Sequence, residues 1–362
     1  MRILIAGGGT GGHLYPGIAL ARELTRRDRT THVSFVGTAQ GIESRVVPRE
    51  GFTLDLIRVA GLKGKSRAAR WRGFLLLPLA AIDAWRVISR QSPDVVVGVG
   101  GFAAGPVLAI AALRRLPTLL LEQNAQPGLT NRLLAPFVRA AAVNFVEALR
   151  YFPRTGFVAG NPVRPEFFDA STKETTDQPR AARILIVGGS QGAHAINVAM
   201  VEAAARLAAT DRPLAITHQS GDRDLDLVRT AYARAGLPAR VEAFIFEIDG
   251  EMKAADVVVC RSGATTLAEV AAAGRPAILV PLPTATDDHQ RKNAEAFGQS
   301  GAALVIDQRD LTGERLATDI AALVADASRR RHMSEAARAL ARPDAAERIA
   351  DRIEELGGRR AG

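Results

Sequence analysis

The sequence predicts an α/β protein of two similar doubly wound domains, each a parallel sheet with helices on both faces. The first observation behind this is an internal repeat. Arg2-Ile-Leu-Ile-Ala-Gly-Gly returns from Arg183 as Arg-Ile-Leu-Ile-Val-Gly-Gly, and Asp94-Val-Val-Val-Gly returns from Asp256 as Asp-Val-Val-Val-Cys. The second is the alternation of short apolar runs, ending in glycine, with Ala/Leu-rich stretches of helical period. The third is length, since 362 residues suit two domains of about 150 each.

In chain order, residues 2–7 read as a buried strand that runs into a glycine turn, with a helix over 16–25 and a second strand over 33–36. Residues 95–113 carry no charge and approach spanning length. Four glycines, a β-branched start and Pro106 resolve them into a strand, a glycine turn and a helix opening at Pro106. Strands follow at 118–121 and 141–145. A proline-bearing, polar stretch between about 162 and 182 marks the break, dividing the chain into 1–163 and 164–342. The second domain continues with strands at 183–187, 214–218, 256–260 and 277–281, and helices at 193–209, 264–273 and 288–300. A charged amphipathic helix over 344–356 follows Pro343, in a tail (343–362) that is expected to pack back on the first domain.

Composition narrows the function classes. Hydrophobic residues are 47% and charged residues 23%, which excludes disordered and fibrous classes. A single cysteine, Cys260, excludes a disulfide framework and multi-Cys zinc sites, and makes a reducing cytosol the default. No secretory signal is read at the start, where six residues run straight into glycines. The formal charge is +9 but uneven. Residues 1–163 carry 21 basic and 9 acidic side chains, and residues 164–362 carry 26 and 29. The first domain therefore faces an anion or an anionic membrane.

Gly7-Gly-Gly-Thr-Gly-Gly12 contains the G-x-G-x-x-G of a dinucleotide fold between a strand and a helix. Its acidic companion is missing, because the second strand ends Phe35-Val36-Gly37-Thr38. A nicotinamide dinucleotide is thus disfavoured, and no cofactor is expected. Gly188-Gly-Ser-Gln-Gly-Ala193 is a second strand-to-helix turn, with Ser190 at a plausible N-cap, suited to a diphosphate. An ordinary capped turn is the competing reading. Gly61-Leu-Lys-Gly-Lys-Ser66 imitates a phosphate loop but has Val59 where the first glycine belongs. His13 closes the first glycine loop and is a candidate general base, a locally bonded helix-start histidine being the alternative. Glu122-Gln-Asn124 offers polar groups to the same rim, and Glu269 could accept from a ribose diol. The six histidines show no metal-ligand spacing and no G-x-S-x-G occurs, so neither a metal site nor a serine nucleophile is expected.

The motifs Gly7–His13, Gly98-Val-Gly-Gly-Phe102, Glu122-Gln-Asn124, Gly128-Leu-Thr-Asn131, Gly160-Asn-Pro-Val-Arg164, 188–193, 260–263 and Asp288-His-Gln290 occur in one order from Met1 to about Ile353. That set resembles the bacterial UDP-N-acetylglucosamine:undecaprenyl-pyrophosphoryl-muramyl-pentapeptide N-acetylglucosaminyltransferases of peptidoglycan synthesis. The resemblance implies two Rossmann-like domains facing a central cleft (the GT-B type), acceptor on the first and UDP-sugar on the second. It implies inverting transfer of N-acetylglucosamine to the C4 hydroxyl of the undecaprenyl-linked muramyl pentapeptide. It puts Thr10, Gly11, Gly12 and Asn124 on the sugar side, Arg164 and Ser190 on the diphosphate, and the Ile245 backbone on the uracil. Ala264, Thr265, Thr266, Leu267, Ala268 and Glu269 would line the donor, with Glu269 on the ribose. Gln290 would meet the N-acetylglucosamine hydroxyls, with Asp288 or His289 the alternatives in a shifted register. His13 is the candidate base. A UDP-sugar 2-epimerase and, further off, a dinucleotide-dependent oxidoreductase are the competing functions.

Residues 58–79 combine Arg58, Lys63, Lys65, Arg67, Arg70 and Arg72 with Trp71, Phe74, Leu75, Leu76, Leu77 and Leu79, and contain no acid. Too short to span, the block reads as an interfacial anchor for an anionic membrane, placing the enzyme peripherally on the cytoplasmic face of the inner membrane. No nucleic-acid-binding module accompanies the charge. The sequence is silent on oligomeric state.

Overall fold

The computed structural model describes residues 1–59, 67–168, 180–189, 192–285 and 288–358, with backbone alone for 67–75. They form two compact units, Met1–Arg164 with Arg342–Gly362, and Pro165–Ala341.

Unit 1 runs β1 (Arg2–Gly7), α1 (Gly11–Arg27), β2 (His32–Gly37), α2 (Glu43–Arg49), β3 (Thr53–Leu56), α3 (Arg67–Gln91), β4 (Val95–Gly100), α4 (Ala104–Leu113), β5 (Thr118–Glu122), α5 (Leu129–Leu134), β6 (Ala140–Val143) and β7 (Gly156–Val158). Its sheet has the order β3-β2-β1-β4-β5-β6-β7, every pair parallel. The order reverses between β1 and β4, where Ile3 pairs with Val33 on one side and Val95 on the other. β4, β5 and β6 are buried along their whole length, which is why they read as unbroken apolar runs rather than alternating ones.

Unit 2 runs β8 (Ala182–Val187), α6 (His194–Ala208), β9 (Leu214–Gln219), α7 (Leu225–Ala235), β10 (Ala239–Glu242), α8 (Ile248–Ala254), β11 (Val257–Cys260), α9 (Ala264–Ala273), β12 (Ala277–Leu279), α10 (His289–Gln299), β13 (Ala303–Val305), α11 (Gly313–Ala325) and α12 (Ala327–Leu340). Its sheet, β10-β9-β8-β11-β12-β13, is also parallel and reverses between β8 and β11. The repeated sequence motifs are thus the two central strands of each sheet. The chain ends in α13 (Ala345–Gly358), which returns to unit 1. Ile349, Ile353 and Leu356 form its buried stripe, while Arg27 of α1 reaches Asp351 at 2.6 Å and the Glu347 carbonyl at 3.0 Å.

Several boundaries differ from the sequence reading. α1 starts at Gly11, so Pro16 sits more than a turn inside it, where it withholds one hydrogen bond from the first turns. α4 starts at Ala104, two residues before Pro106. Arg164 and Arg342 belong to unit 1 rather than to the second domain. The Arg164 guanidinium lies 4.8 Å over the Tyr15 ring of α1, and Arg342 packs so closely on Gly160 that a Cβ there would come within 2.6 Å. Of the basic block, Arg67, Arg70 and Arg72 fall in the first turns of α3. Gly61–Ser66, and with it Lys63 and Lys65, lies outside the described residues.

Candidate functional site

In open parallel sheets, ligands meet the carboxyl ends of strands where the strand order reverses. The predicted motifs gather at that point in each unit.

In unit 1, β1 ends at Gly7 and the chain turns through Gly8 and Gly9, both at positive φ (+135° and +84°), before Thr10 opens α1. Thr10 is exposed and makes no side-chain cap. The neighbouring turn, after β4, nests against this one: a Cβ on Gly101 would fall 2.1 Å from the Gly8 carbonyl. Gly100, at φ +95°, carries the His13 ring, and a Cβ there would lie 2.5 Å from Nδ1. The half-buried His13 is therefore seated on glycine, with Nδ1 turned to the backbone.

Glu122, at the end of β5, corrects an expectation. It is 1% exposed and offers nothing to the rim. Its carboxylate accepts from the Asn124 N–H (2.9 Å), Asn124 Nδ2 (3.2 Å), the Gly128 N–H (3.3 Å) and Asn131 Nδ2 (2.7 Å). Burial pushes its pKa up, and these donors pull the other way. Gln123 is buried as well, giving Nε2 to the Val99 carbonyl at 2.8 Å. Asn124 is the accessible member, half-buried and held by its amide nitrogen.

In unit 2, β8 and β11 are neighbouring parallel strands, so the chain leaves both at the same edge of the sheet. Ser190 lies outside the described residues, and the N-cap of α6 is Ala193, not Ser190. The chain must first turn at Gly192 (φ +74°), where a Cβ would sit 2.0 Å from the Ser220 carbonyl. Gln219, which sequence reasoning missed, joins two parts of the site: its Nε2 donates to the Gly189 carbonyl (2.7 Å) and its Oε1 accepts from Ile245 N–H (2.9 Å). Of the stretch 264–269, Ala264, Thr265 and Leu267 are buried, so only their backbone can meet a donor. Thr266, Ala268 and Glu269 are half-buried. Burial, helped by the Glu269 charge, pushes the Cys260 thiol up to about 12. Gln290 anchors itself by its oxygen, which accepts from Leu282 N–H at 3.0 Å. Its carbonyl accepts from Ser262 Oγ (2.7 Å), and the fully buried Asn293 gives Nδ2 to the Ser262 carbonyl (3.2 Å). Asn293 was not legible as part of this support. Among the described residues no three His, Cys, Asp or Glu side chains converge as a metal site.

A buried polar chain links α6, β9 and α7. His218 Nε2 and Nδ1 bond Asn197 Oδ1 (2.9 Å) and Tyr232 Oη (2.8 Å), and Asn197 Nδ2 donates to Asp224 (2.8 Å) and the Ser220 carbonyl (2.8 Å). Since Asn197 Oδ1 can only accept, Nε2 carries the proton and Tyr232 donates to Nδ1. Burial lowers the His218 pKa to about 3, so the ring is neutral.

The glycosyltransferase family 28 N-terminal domain matches residues 3–143, and the glycosyltransferase family 28 C-terminal domain residues 183–349. The chain is 48% identical, over its full length and 94% of the relative, to the UDP-N-acetylglucosamine--N-acetylmuramyl-(pentapeptide) pyrophosphoryl-undecaprenol N-acetylglucosamine transferase of Anaeromyxobacter dehalogenans. The crystal structure of Acinetobacter baumannii MurG matches with a TM-score of 0.75 at 30% identity, covering 98% of this chain and 99% of that one. A UDP-GlcNAc 2-epimerase from Neisseria meningitidis, bound to UDP-GlcNAc, matches with a TM-score of 0.69 over 98% and 100% of the chains. Its 12% identity makes it a likeness of fold alone.

Proposed function

The chain belongs to glycosyltransferase family 28, and from that premise we propose that it transfers N-acetylglucosamine from UDP-N-acetylglucosamine to undecaprenyl-pyrophosphoryl-N-acetylmuramyl pentapeptide. The acceptor C4 hydroxyl attacks C1 of the donor sugar, the C1–O bond to UDP breaks with inversion, and a β-1,4 disaccharide forms. The observation that carries this is 48% identity, end to end, with an enzyme of that name. Unit 1 takes the acceptor, with Thr10, Gly11, Gly12 and Asn124 on the sugar side. His13, with Nδ1 against Gly100, receives the hydroxyl proton on Nε2, a contribution of about 10²–10⁴-fold.

Negative charge grows on the departing UDP, and the barrier falls where fixed donors await it. The loop 188–193 with Ser190, the amino end of α9 and the Arg164 guanidinium are assigned to that charge, each donor worth roughly 2.7–4 kcal/mol. Ile245 serves the uracil, Glu269 the ribose and Gln290 the transferred sugar. UDP release that requires the lipid acceptor tests the reading. Conversion of UDP-N-acetylglucosamine to an epimer without acceptor would replace it with the epimerase.

The enzyme docks peripherally on the cytoplasmic face of the membrane through unit 1. Helices α3, α4 and α5 pack in a row. They leave Leu79, Ile82 and Trp85 of α3, Leu113 of α4, and Leu129 and Leu133 of α5 exposed. Arg114 lies 4.9 Å over the Trp85 ring, which combines the cation and aromatic suited to a headgroup layer. The apolar surface thus extends beyond the 58–79 block. No described helix is long and apolar enough to cross a membrane.

A further inference from the structure

The first glycine loop has a buried partner in α2. Glu43, the first residue of α2, is 1% exposed and points its carboxylate into the underside of the loop. Oε2 accepts the Gly9 N–H at 2.7 Å. Oε1 accepts both the Thr38 N–H (2.8 Å) and the Thr38 hydroxyl (2.9 Å). Charge-assisted bonds of this kind are the strong ones, and here they join the turns after β1 and β2 to α2.

The backbone is moulded around this one carboxylate. A Cβ on Gly8 would lie 2.4 Å from Glu43 Cδ, one on Gly37 2.4 Å from Cγ, and one on Gly41 2.1 Å from Oε2. Three glycines from two loops thus clear space for an internal anion. In a dinucleotide fold the N–H groups of such a loop face a phosphate. Here the Gly9 N–H faces the protein's own carboxylate, so an incoming phosphate would meet an occupied donor and a like charge.

We propose that Glu43 is the positioning residue of the first glycine loop. Its carboxylate takes the place of a bound phosphate, holds Gly8 and Gly9 in their positive-φ turn, and so presents Thr10 and His13 to an uncharged sugar hydroxyl. The same contact keeps nucleotide phosphates off this loop. The proposal rests on the reading that this loop serves the acceptor.

The test uses the full-length enzyme with lipid acceptor and UDP-N-acetylglucosamine. Glu43→Gln keeps the shape but puts an amide N–H where an acceptor is needed. Glu43→Ala with Gly41→Ala fills the vacated space with a methyl group and no acceptor, which keeps the question open to test should the first variant fold poorly. Acceptor kcat/KM is expected to fall about 10²-fold in both, the loss typical of a reacting group misplaced by 1 Å. The donor dissociation constant should stay within twofold, and the double variant should melt above Glu43→Ala alone without regaining turnover. Recovery of turnover together with melting temperature would reduce Glu43 to packing and overturn the proposal, as would kcat/KM within threefold of wild type in either variant. Thr10→Val separates the two readings. If it slows acceptor turnover while the Glu43 variants do not, the positioning role fails. If neither does, the loop is not the acceptor site and the proposal falls with it.

Discussion

A methyl group on Gly100 would move His13 without removing it. The Cβ would stand 2.5 Å from Nδ1 and 2.9 Å from Cε1, whereas ordinary contact begins near 3.4 Å. The ring must therefore retreat by roughly 1 Å, a displacement that can cost on the order of 10²-fold when it separates a base from its proton. The substitution also forces an L-residue to φ +95°, at a cost of about 1–2 kcal/mol. For a unit of this size that lowers the melting temperature by about 2–8 °C. Gly51→Ala supplies the control, because Gly51 has φ +80° and nothing within 4 Å of its Cβ position. UDP release at saturating donor and acceptor should then fall about 10²-fold in Gly100→Ala and stay near wild type in Gly51→Ala, with similar losses of melting temperature. Donor binding by calorimetry should be unchanged in both. A folded Gly100→Ala enzyme within threefold of wild-type turnover would refute His13 as the proton acceptor in this seat.

Three further outcomes follow from the geometry. His218 titrates near 6.5 when unfolded and near 3 when folded, so between those values the unfolded chain binds more protons and stability rises with pH. The contribution is complete above about pH 6.5 and shrinks toward pH 3; from pH 7.5 to 5 it amounts to roughly 2 kcal/mol. Denaturant melts of His218→Gln should lack this component, and an unchanged pH dependence would contradict the neutral ring. Arg164→Ala should cut kcat by about 10²–10³-fold, as for loss of a transition-state donor, while releasing only about 0.5–1 kcal/mol of stacking on Tyr15. Steady-state kinetics beside a thermal melt measures both, and near-normal kcat sinks the assignment. Sedimentation with anionic vesicles should weaken on the order of 10²-fold for the triple change Lys63→Glu, Lys65→Glu and Arg67→Glu, and further with Trp85→Ser. UDP binding should be spared, and vesicle binding indifferent to salt and to these changes would remove unit 1 as the docking surface.

What the sequence made legible was whatever repeats locally. The strand cores, the glycine turns and the helix over Ala264–Ala273 all emerged from periodicity, because burial on both faces leaves an apolar run that needs no partner to be read. Helix starts were less readable. Pro16 and Pro106 each looked like a first residue, yet the glycine turn had already led the chain into helix before them. The polar anchors were not legible at all, since each depends on a contact between distant segments. Gln219 joins Gly189 to Ile245 across 30 and 26 residues, and nothing around it in sequence announces a ligand site. Glu43 shows the limit most sharply. Sequence reasoning looked for an acid at the end of β2, found Thr38, and took the absence as evidence against a dinucleotide. The acid stands five residues later, on the next helix, bonded to Thr38 itself and to Gly9 across 34 residues. Its direction decides the chemistry: an acid reaching outward would bind a ribose, whereas this one turns inward and uses the donor that a phosphate would need. The glycine fingerprint therefore reports close approach to the backbone, and only the folded register says whether a ligand or the chain itself makes that approach.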